Sequence, residues 1–335
     1  PTGKRDAVLG VLDEEEIDYV LTEETSDREF TAVVTFPLPR RAVEPVLDRL
    51  REAGLPPDAF TVVLEAETVI SARFEELSER YEREDDSGDL IAREELRARA
   101  ANLAPNIRTF TAMSIVSVVV ATAGVLLDSA AVVVGSMVIA PLIGPAMATS
   151  TGTVLQEQDL FRRGVKFQVL GFVLAILTAG VFAWLLKTAN LIPLTDPEVL
   201  AIGQVRERLA PDVLSLIVAL GAGVAGAYSL SSGISTSLVG VAIAVALVPP
   251  TAVIGIGLAW GLPAVVAGAT ILVLVNFLSI NLAALAILWY QGYRPEHWFR
   301  EDEARSATIK RIAALGVAIL LLSTFLGAVP STGVQ

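Results

Sequence analysis

Seven stretches of this chain, near residues 110–127, 129–152, 167–186, 213–230, 236–258, 263–289 and 308–328, are long, apolar and almost free of charge. Each approaches the roughly 20 residues that a helix needs to cross the hydrocarbon of a bilayer. Inside lipid no water can satisfy a backbone N–H or C=O, so stretches of this kind are expected as helices. The spacing therefore predicts an α-helical polytopic membrane protein.

Charge is confined to the other part of the chain. The 335 residues are 53% hydrophobic and 19% charged, with a mean hydropathy of +0.60. Residues 1–108 hold 14 Lys+Arg against 26 Asp+Glu, and residues 109–335 hold 11 against 11, so the net charge of −12 belongs wholly to the first third. Two such compositions predict separate domains: an acidic soluble domain at 1–68, a charged helical connector at 69–108 and a transmembrane domain at 109–335. An acidic face argues against nucleic acid as a partner. Lys occurs only at 4, 166, 187 and 310, which with the acidity points to a salt-adapted, haloarchaeal-type cytoplasm. A GC-rich genome with an acidic domain is the alternative. The chain starts at Pro1 without a charged, apolar leader, so a truncated or processed start is expected.

In the first third, Ala7–Leu12 reads as the end of a helix. Tyr19–Leu21 and Ala32–Phe36 read as a hairpin around a polar turn at Glu23–Arg28. Val43, Val46, Leu47 and Leu50 follow helical spacing up to Gly54, and Phe60–Leu64 reads as a further strand. The order αββαβ predicts an α+β ferredoxin-like domain lacking its first strand, suited to assembly or to ligand sensing. In the connector, Arg73–Arg83 should form an exposed helix, and a second should run from Asp89 to Ala104.

The apolar part repeats itself. At an offset of 105 residues, Val134 matches Val239, Gly135 matches Gly240, Pro145 matches Pro250 and Trp184 matches Trp289. The repeated unit is three segments, about 110–186 and 213–290, followed by an extra helix at 308–328. Its middle segment carries Gly135, Ser136, Pro141, Gly144 and Pro145 in the first copy, and Gly240, Pro249, Pro250 and Thr251 in the second. Proline deletes a backbone hydrogen bond and clashes with the preceding turn. Helices interrupted at matching places in two halves point to a transport site. A plain kink in tightly packed helices, with Gly135 and Gly240 permitting close approach, is the competing explanation.

Leu126–Ser129 (LLDS), Gly135–Pro145 (GSMVIAPLIGP), Gly240–Pro250 (GVAIAVALVPP) and Asn276 resemble the prokaryotic membrane family called domain of unknown function 389. The resemblance covers most of 70–290, and the soluble domain is similar to the N-terminal part of archaeal members. It implies a family placement and no activity. Members often carry Asn where this chain has Asp128, which speaks against a titratable role there.

Little here can do covalent chemistry. With no Cys and a single His, His297, thiolate or multi-His metal sites are excluded, and no cofactor or enzymatic activity is expected. Asp128 alone lies near a span, either titrating or capping the next helix. Neutral polar side chains such as Ser114, Ser117, Thr149, Ser150, Asn276, Ser279 and Asn281 could glue helices together or line a path for a small ion or solute. If every segment spans, 12 Lys+Arg lie on the side of the soluble domain and 3 on the other; re-entrant middle segments give the same count. Spanning middles make the repeats inverted, re-entrant ones make them parallel, and the charge-free run 129–152 favours spanning. The expected protein is a multi-pass cell-membrane transporter or channel for a small ion or solute, forming a homo-oligomer and bearing a cytoplasmic domain. A non-transporting scaffold or sensor is the alternative.

Overall fold

A computed structural model describes residues 5–23, 32–39, 42–55, 61, 62, 64, 69, 71–84, 91, 93–103, 106–209, 212–232 and 236–294. The segment 308–328, His297 and the turn at 24–28 lie outside the described residues. Contacts divide the chain into two units, residues 1–95 and 96–335.

In the first unit, α1 (Arg5–Glu14) leads into an antiparallel hairpin of β1 (Val20–Glu23) and β2 (Ala32–Thr35), with Leu21 opposite Val34. Two helices follow, α2 (Val43–Glu52) and α3 (Ala72–Glu84). Gly54, at φ +105°, ends α2 because its N–H and that of Leu55 turn back to the carbonyls of Arg51 and Leu50. Leu12, Ile17, Val46, Leu47 and Leu50 form the core with Leu77 and Tyr81. α3, expected as an exposed connector, therefore lends an apolar face to the domain. Glu15 is 6% exposed. Its carboxylate pairs with Arg49 and Arg80 and accepts from Tyr81 Oη at 3.3 Å, so the buried charge is matched. The ferredoxin-like expectation is not supported: the described residues hold a two-stranded sheet. Thr61, Val62 and Leu64 carry no strand, and Phe60 and Val63 lie outside the described residues. Val62 and Leu64, the described apolar residues of the run that suggested a strand, are 59% and 84% exposed.

After α4 (Arg93–Asn102), the second unit is built from α5 (Ile107–Leu126), α6 (Ala130–Ile139), α7 (Ile143–Val154), α8 (Gln158–Thr188), α9 (Asp196–Ala201), α10 (Gly203–Arg206), α11 (Val213–Ser232), α12 (Thr236–Trp260) and α13 (Pro263–Tyr290). Five helices, α5, α8, α11, α12 and α13, are long and apolar enough to cross a membrane; α6 and α7, bent by 55° at a short break, add a sixth crossing if taken together. This is the pattern of a multi-pass membrane protein. Six of the seven expected segments are thus helical. Moving α11 back 105 residues places it at 108–127, beside 107–126 for α5; α12 falls at 131–155, beside 130–154 for α6 and α7; α13 falls at 158–185, beside 158–188 for α8.

Packing sets the direction of each pass. Phe110, near the start of α5, meets Phe167, near the start of α8, edge to face at 5.1 Å. Farther along, Val119 of α5 shares a groove with Leu177 and Leu185 of α8. The two helices therefore run the same way, and the bent pair α6–α7 must carry the chain back across. α12 runs with α8, since Gly255 lies against Gly180 and the Lys187 ammonium donates to the Ala259 carbonyl at 3.2 Å. α11 and α13 return. Among the described residues α5, α6–α7, α8, α11, α12 and α13 thus alternate in direction.

Close approach uses glycines other than those expected. A Cβ on Gly223 would meet Ile280 O at 2.3 Å, one on Gly255 the Ala179 Cβ at 2.3 Å, and one on Gly268 the Leu209 O at 1.8 Å. At Gly135 nothing lies within 4 Å, and at Gly240 the nearest atom is Ile143 Cγ2 at 3.6 Å, an ordinary contact. Those two glycines do not make the helix contacts.

Two measurements check this architecture. Gly223→Ala should destabilise the protein by about 1–3 kcal/mol through overpacking. Gly221→Ala, in the same helix with nothing within 4 Å, should be neutral or stabilising by up to about 1 kcal/mol. Thermal unfolding in detergent reads the contrast; equal effects would remove close approach as the cause. Single cysteines at Gln158 and Arg294 should be labelled from one face of a sealed vesicle, and one at Gly261 from the other. Gln158 labelling with Gly261 would mean that the bent pair is re-entrant.

Candidate functional site

The two proline-bearing segments, α6–α7 and α12, solve the proline problem differently. In the first, Pro141 ends α6. The residue before a proline is pushed out of the helical region, and Ala140 sits at φ −69°, ψ 123°. Its N–H turns to Met137 O at 3.3 Å rather than to Ser136 O. The Ser136 carbonyl is met from α5, where the Ser117 hydroxyl donates to it at 2.7 Å. α7 then restarts with Ile143, Gly144 and Pro145 in its first turn. A proline there costs no hydrogen bond, because that N–H would have no intrahelical partner anyway. The break is thus at Pro141, and Pro145 does not unwind the chain as expected. Ala140, Pro141, Leu142 and Ile143 are half-buried, whereas the rest of α7 is buried.

In the second copy the expected unwinding is absent, and α12 is helical throughout with Pro249 and Pro250 inside it. Pro250 cannot donate to the carbonyl four residues earlier, at Ala246. The Asn276 amide of α13 donates to that carbonyl instead, at 2.8 Å. Asn276 is 3% exposed and its Oδ1 has no partner among the described residues. Thr251 turns its hydroxyl to Leu247 O at 2.6 Å, and Ser279 turns its own to Val275 O at 2.7 Å; both bonds stay within the helix. Ser136 does the same to Val133 O. Around Pro250 the neighbours Ala246, Val248, Ala252 and Val253 are buried, so the site is packed with side chains.

Beside the first break, a polar cluster joins three helices. The Thr149 hydroxyl of α7 lies 2.9 Å from Pro145 O and 3.0 Å from Gln168 Oε1 of α8. Gln168 Nε2 donates to Asn281 Oδ1 of α13 at 3.4 Å, and Ser150 donates to Asn281 O at 3.4 Å. All four residues are at most 8% exposed. Gln168 was missed in the sequence: it stands two residues after Lys166, where an amide reads as the wet end of a span. The one available signal was its place inside the long apolar run after Phe167.

The predicted residues therefore fall into separate groups. Asn281 belongs to the amide cluster, and Asn276 to the Pro250 carbonyl. Gly135 is exposed on α6. Asp128 sits in the turn after α5 at φ +49°, where its N–H and that of Ser129 return to Val125 O and Gly124 O. Ser129, not Asp128, caps the next helix, accepting from Val132 N. The Asp128 carboxylate instead accepts from Gln204 N at 2.9 Å, at the start of α10. Arg208 nearby has its pKa lowered by burial, against the opposing pull of Glu207 and Asp128. Among the described residues, no group of three or more His, Cys, Asp or Glu could hold a metal ion.

If Asn276 serves the carbonyl that Pro250 frees, the two positions are coupled. Asn276→Ala should cost about 1–3 kcal/mol, the penalty for a buried group left unsatisfied. In a Pro250→Ala background residue 250 regains its N–H, so the cost should fall by half or more. Additive losses in a double-mutant cycle would refute the coupling.

Comparison with known proteins places the chain. A family model described as domain of unknown function (DUF389) matches residues 137–282, from α6 through the break and the amide cluster to α13. An uncharacterized protein of the archaeon Methanocaldococcus jannaschii is 34% identical over 282 residues, covering 83% of each chain. No solved structure matches. The residues around the proline break and the buried amides thus lie inside the matched region, and the chain belongs to the DUF389 family.

Proposed function

We propose that this protein is a cell-membrane transporter or channel for a small ion or neutral solute, built from two inverted three-pass repeats. One observation carries the reading: the half-buried break at Pro141 lies in the same segment as the buried Thr149–Gln168–Asn281 cluster. A helix start leaves N–H groups without intrahelical partners, and α7 has no side-chain cap at Leu142. Broken helices whose ends face a polar cluster are the usual construction of a transport site. The matching helix boundaries at the 105-residue offset, with alternating passes, support the inverted relation. Intramembrane carboxylates are lacking, so the path suits a neutral solute or an ion held by amide and carbonyl oxygens rather than a proton relay.

The end where α5 and α8 begin carries Arg108, Arg162, Arg163 and Lys166, and α13 returns there to Arg294; the other end carries Lys187, Arg206 and Arg208. By the positive-inside rule the first end is cytoplasmic, and with it the acidic domain, as an assembly or regulatory module in a salt-adapted cell. Exposed small and apolar residues on α8 and α11 suit a homo-oligomer. No enzymatic role is proposed. The second reading, a membrane scaffold or sensor without flux, draws on the side-chain packing around Pro249 and Pro250.

Flux in proteoliposomes separates the two. The wild-type chain should pass at least one of Na+, K+, Cl− or a small uncharged solute. Gln168→Leu and Asn281→Leu should lower that flux tenfold or more while the protein remains folded. Gly135→Ala, on the exposed face of α6, should leave it unchanged. No flux of any of these by the wild type would favour the scaffold.

A further inference from the structure

At the start of α8 lies a cavity of about 400 Å³ lined by Arg162, Arg163, Lys166, Phe167 and Leu170, with Ile107 of α5 closing its side. Three cations fall within five residues here. All three are exposed, and among the described residues neither Arg162 nor Lys166 has an ion-pair partner. Glu157, just before α8, is engaged by Arg97 at 3.1 Å, and one acid, Asp159, stands in the first turn of α8. The floor of the cavity is apolar, because Phe167 is 8% exposed and packs on Phe110. The site thus offers three positive charges above an aromatic and aliphatic base, at the mouth of two parallel apolar helices.

A second, separate groove lies farther along the same two helices. Val119 of α5 and Leu177, Thr178, Val181, Phe182 and Leu185 of α8 line about 350 Å³ that is almost wholly apolar. Lys166, Leu170, Val173, Leu177, Val181 and Leu185 recur at helical spacing on one face of α8. Val173, Leu177, Val181 and Leu185 are each about half exposed, at 47%, 60%, 56% and 50%. Leu177 lies about 17 Å beyond Lys166 at 1.5 Å per residue, close to the ~15 Å of hydrocarbon in one leaflet. The stripe from Leu170 through Val173 to Leu177 therefore spans about one lipid leaflet beyond the cations, and the groove opens at its far end.

From this stripe we infer that the α5–α8 face binds one anionic phospholipid, its headgroup phosphate on Arg162, Arg163 and Lys166 and a hydrocarbon chain along Leu170 and Val173 to the edge of the groove at Leu177. Basic pockets beside membrane helices take anionic headgroups by charge, and each nearby cation contributes to the attraction. Three of them with an apolar extension favour a lipid over a free anion, since a free anion gains nothing from the groove. The inference rests on α5 and α8 crossing the membrane and not on transport. It stands or falls by binding, whatever flux is found.

The test uses the full chain in detergent, with phosphatidylglycerol, phosphatidylcholine, glycerol phosphate and inorganic phosphate as probes, read by native mass spectrometry and thermal shift. Phosphatidylglycerol should be retained in preference to phosphatidylcholine. The triple variant Arg162→Gln, Arg163→Gln, Lys166→Gln should weaken its retention roughly a hundredfold. The charge-keeping pair Arg162→Lys, Arg163→Lys should restore most of it, which rules out misfolding as the cause. Val173→Gln, which makes the stripe polar, should weaken phosphatidylglycerol while leaving any glycerol phosphate binding unchanged. Equal retention of the two lipids would overturn the inference. Inorganic phosphate giving the same stabilisation as phosphatidylglycerol would also overturn it, in favour of a simple anion site.

Discussion

A carbonyl inside a bilayer has no water to fall back on, and each proline in a spanning segment strands one. The helical unit is arranged around that constraint. Pro250 strands the Ala246 carbonyl, and Asn276 reaches across from α13 to meet it. At the other copy the turn before Pro141 leaves the Ser136 carbonyl short of a donor, and Ser117 meets it from α5. In both cases a polar side chain on a neighbouring helix replaces a missing backbone donor. These two bonds tie α12 to α13 and α6 to α5, so satisfying the prolines also sets which helices adjoin.

The same constraint explains why the two middle segments differ although their sequences align. Pro145 and Pro250 occupy equivalent positions at the 105-residue offset, but the first copy has an additional proline at 141, where the second has Ala246. That extra ring forces Ala140 into an extended conformation and splits the segment. Pro145 then falls in a first helical turn, where it is harmless. The second segment has two adjacent prolines and no upstream break, so the helix runs on, and of the two carbonyls that lose their donors the one at Ala246 is handed to Asn276. An apparent symmetry in sequence thus becomes an asymmetry in structure: one broken helix beside a polar cluster, one continuous helix in a packed core.

Packing between helices relies on absent side chains. Gly223, Gly255 and Gly268 sit where a Cβ would press on a neighbouring backbone or side chain at 2.3 Å or less. Without a hydrophobic drive between helices in lipid, such contacts and interhelical hydrogen bonds carry association. In the first unit the core is held by apolar burial and ion pairing. Leu12, Val46 and Leu50 are buried with Tyr81, and the Glu15 carboxylate is held by two arginines and a phenol.

The sequence by itself determined the helical class of the protein, its long apolar helices and its family. Apolar length alone specifies a crossing helix, because lipid permits little else, and the helices at 107–126, 158–188, 213–232, 236–260 and 263–290 follow the apolar runs closely. Pattern was a poorer guide wherever the outcome depended on a partner distant in the chain. Phe60–Leu64 has the residues of a strand and gains none among those described, since a strand needs a neighbour to pair with. Asp128 looked like a cap for the helix after it, and its carboxylate went to Gln204 across the loop. Gly135 and Gly240 were legible as small residues, but which glycines meet a neighbour depends on the angle at which helices cross. Only the tertiary structure decided that Gln168 joins Thr149 and Asn281, residues from three helices separated by 19 and 113 positions. It also decided that α5 and α8 run the same way, because direction is a relation between helices: Phe110 must meet Phe167 before the two can be seen to run together.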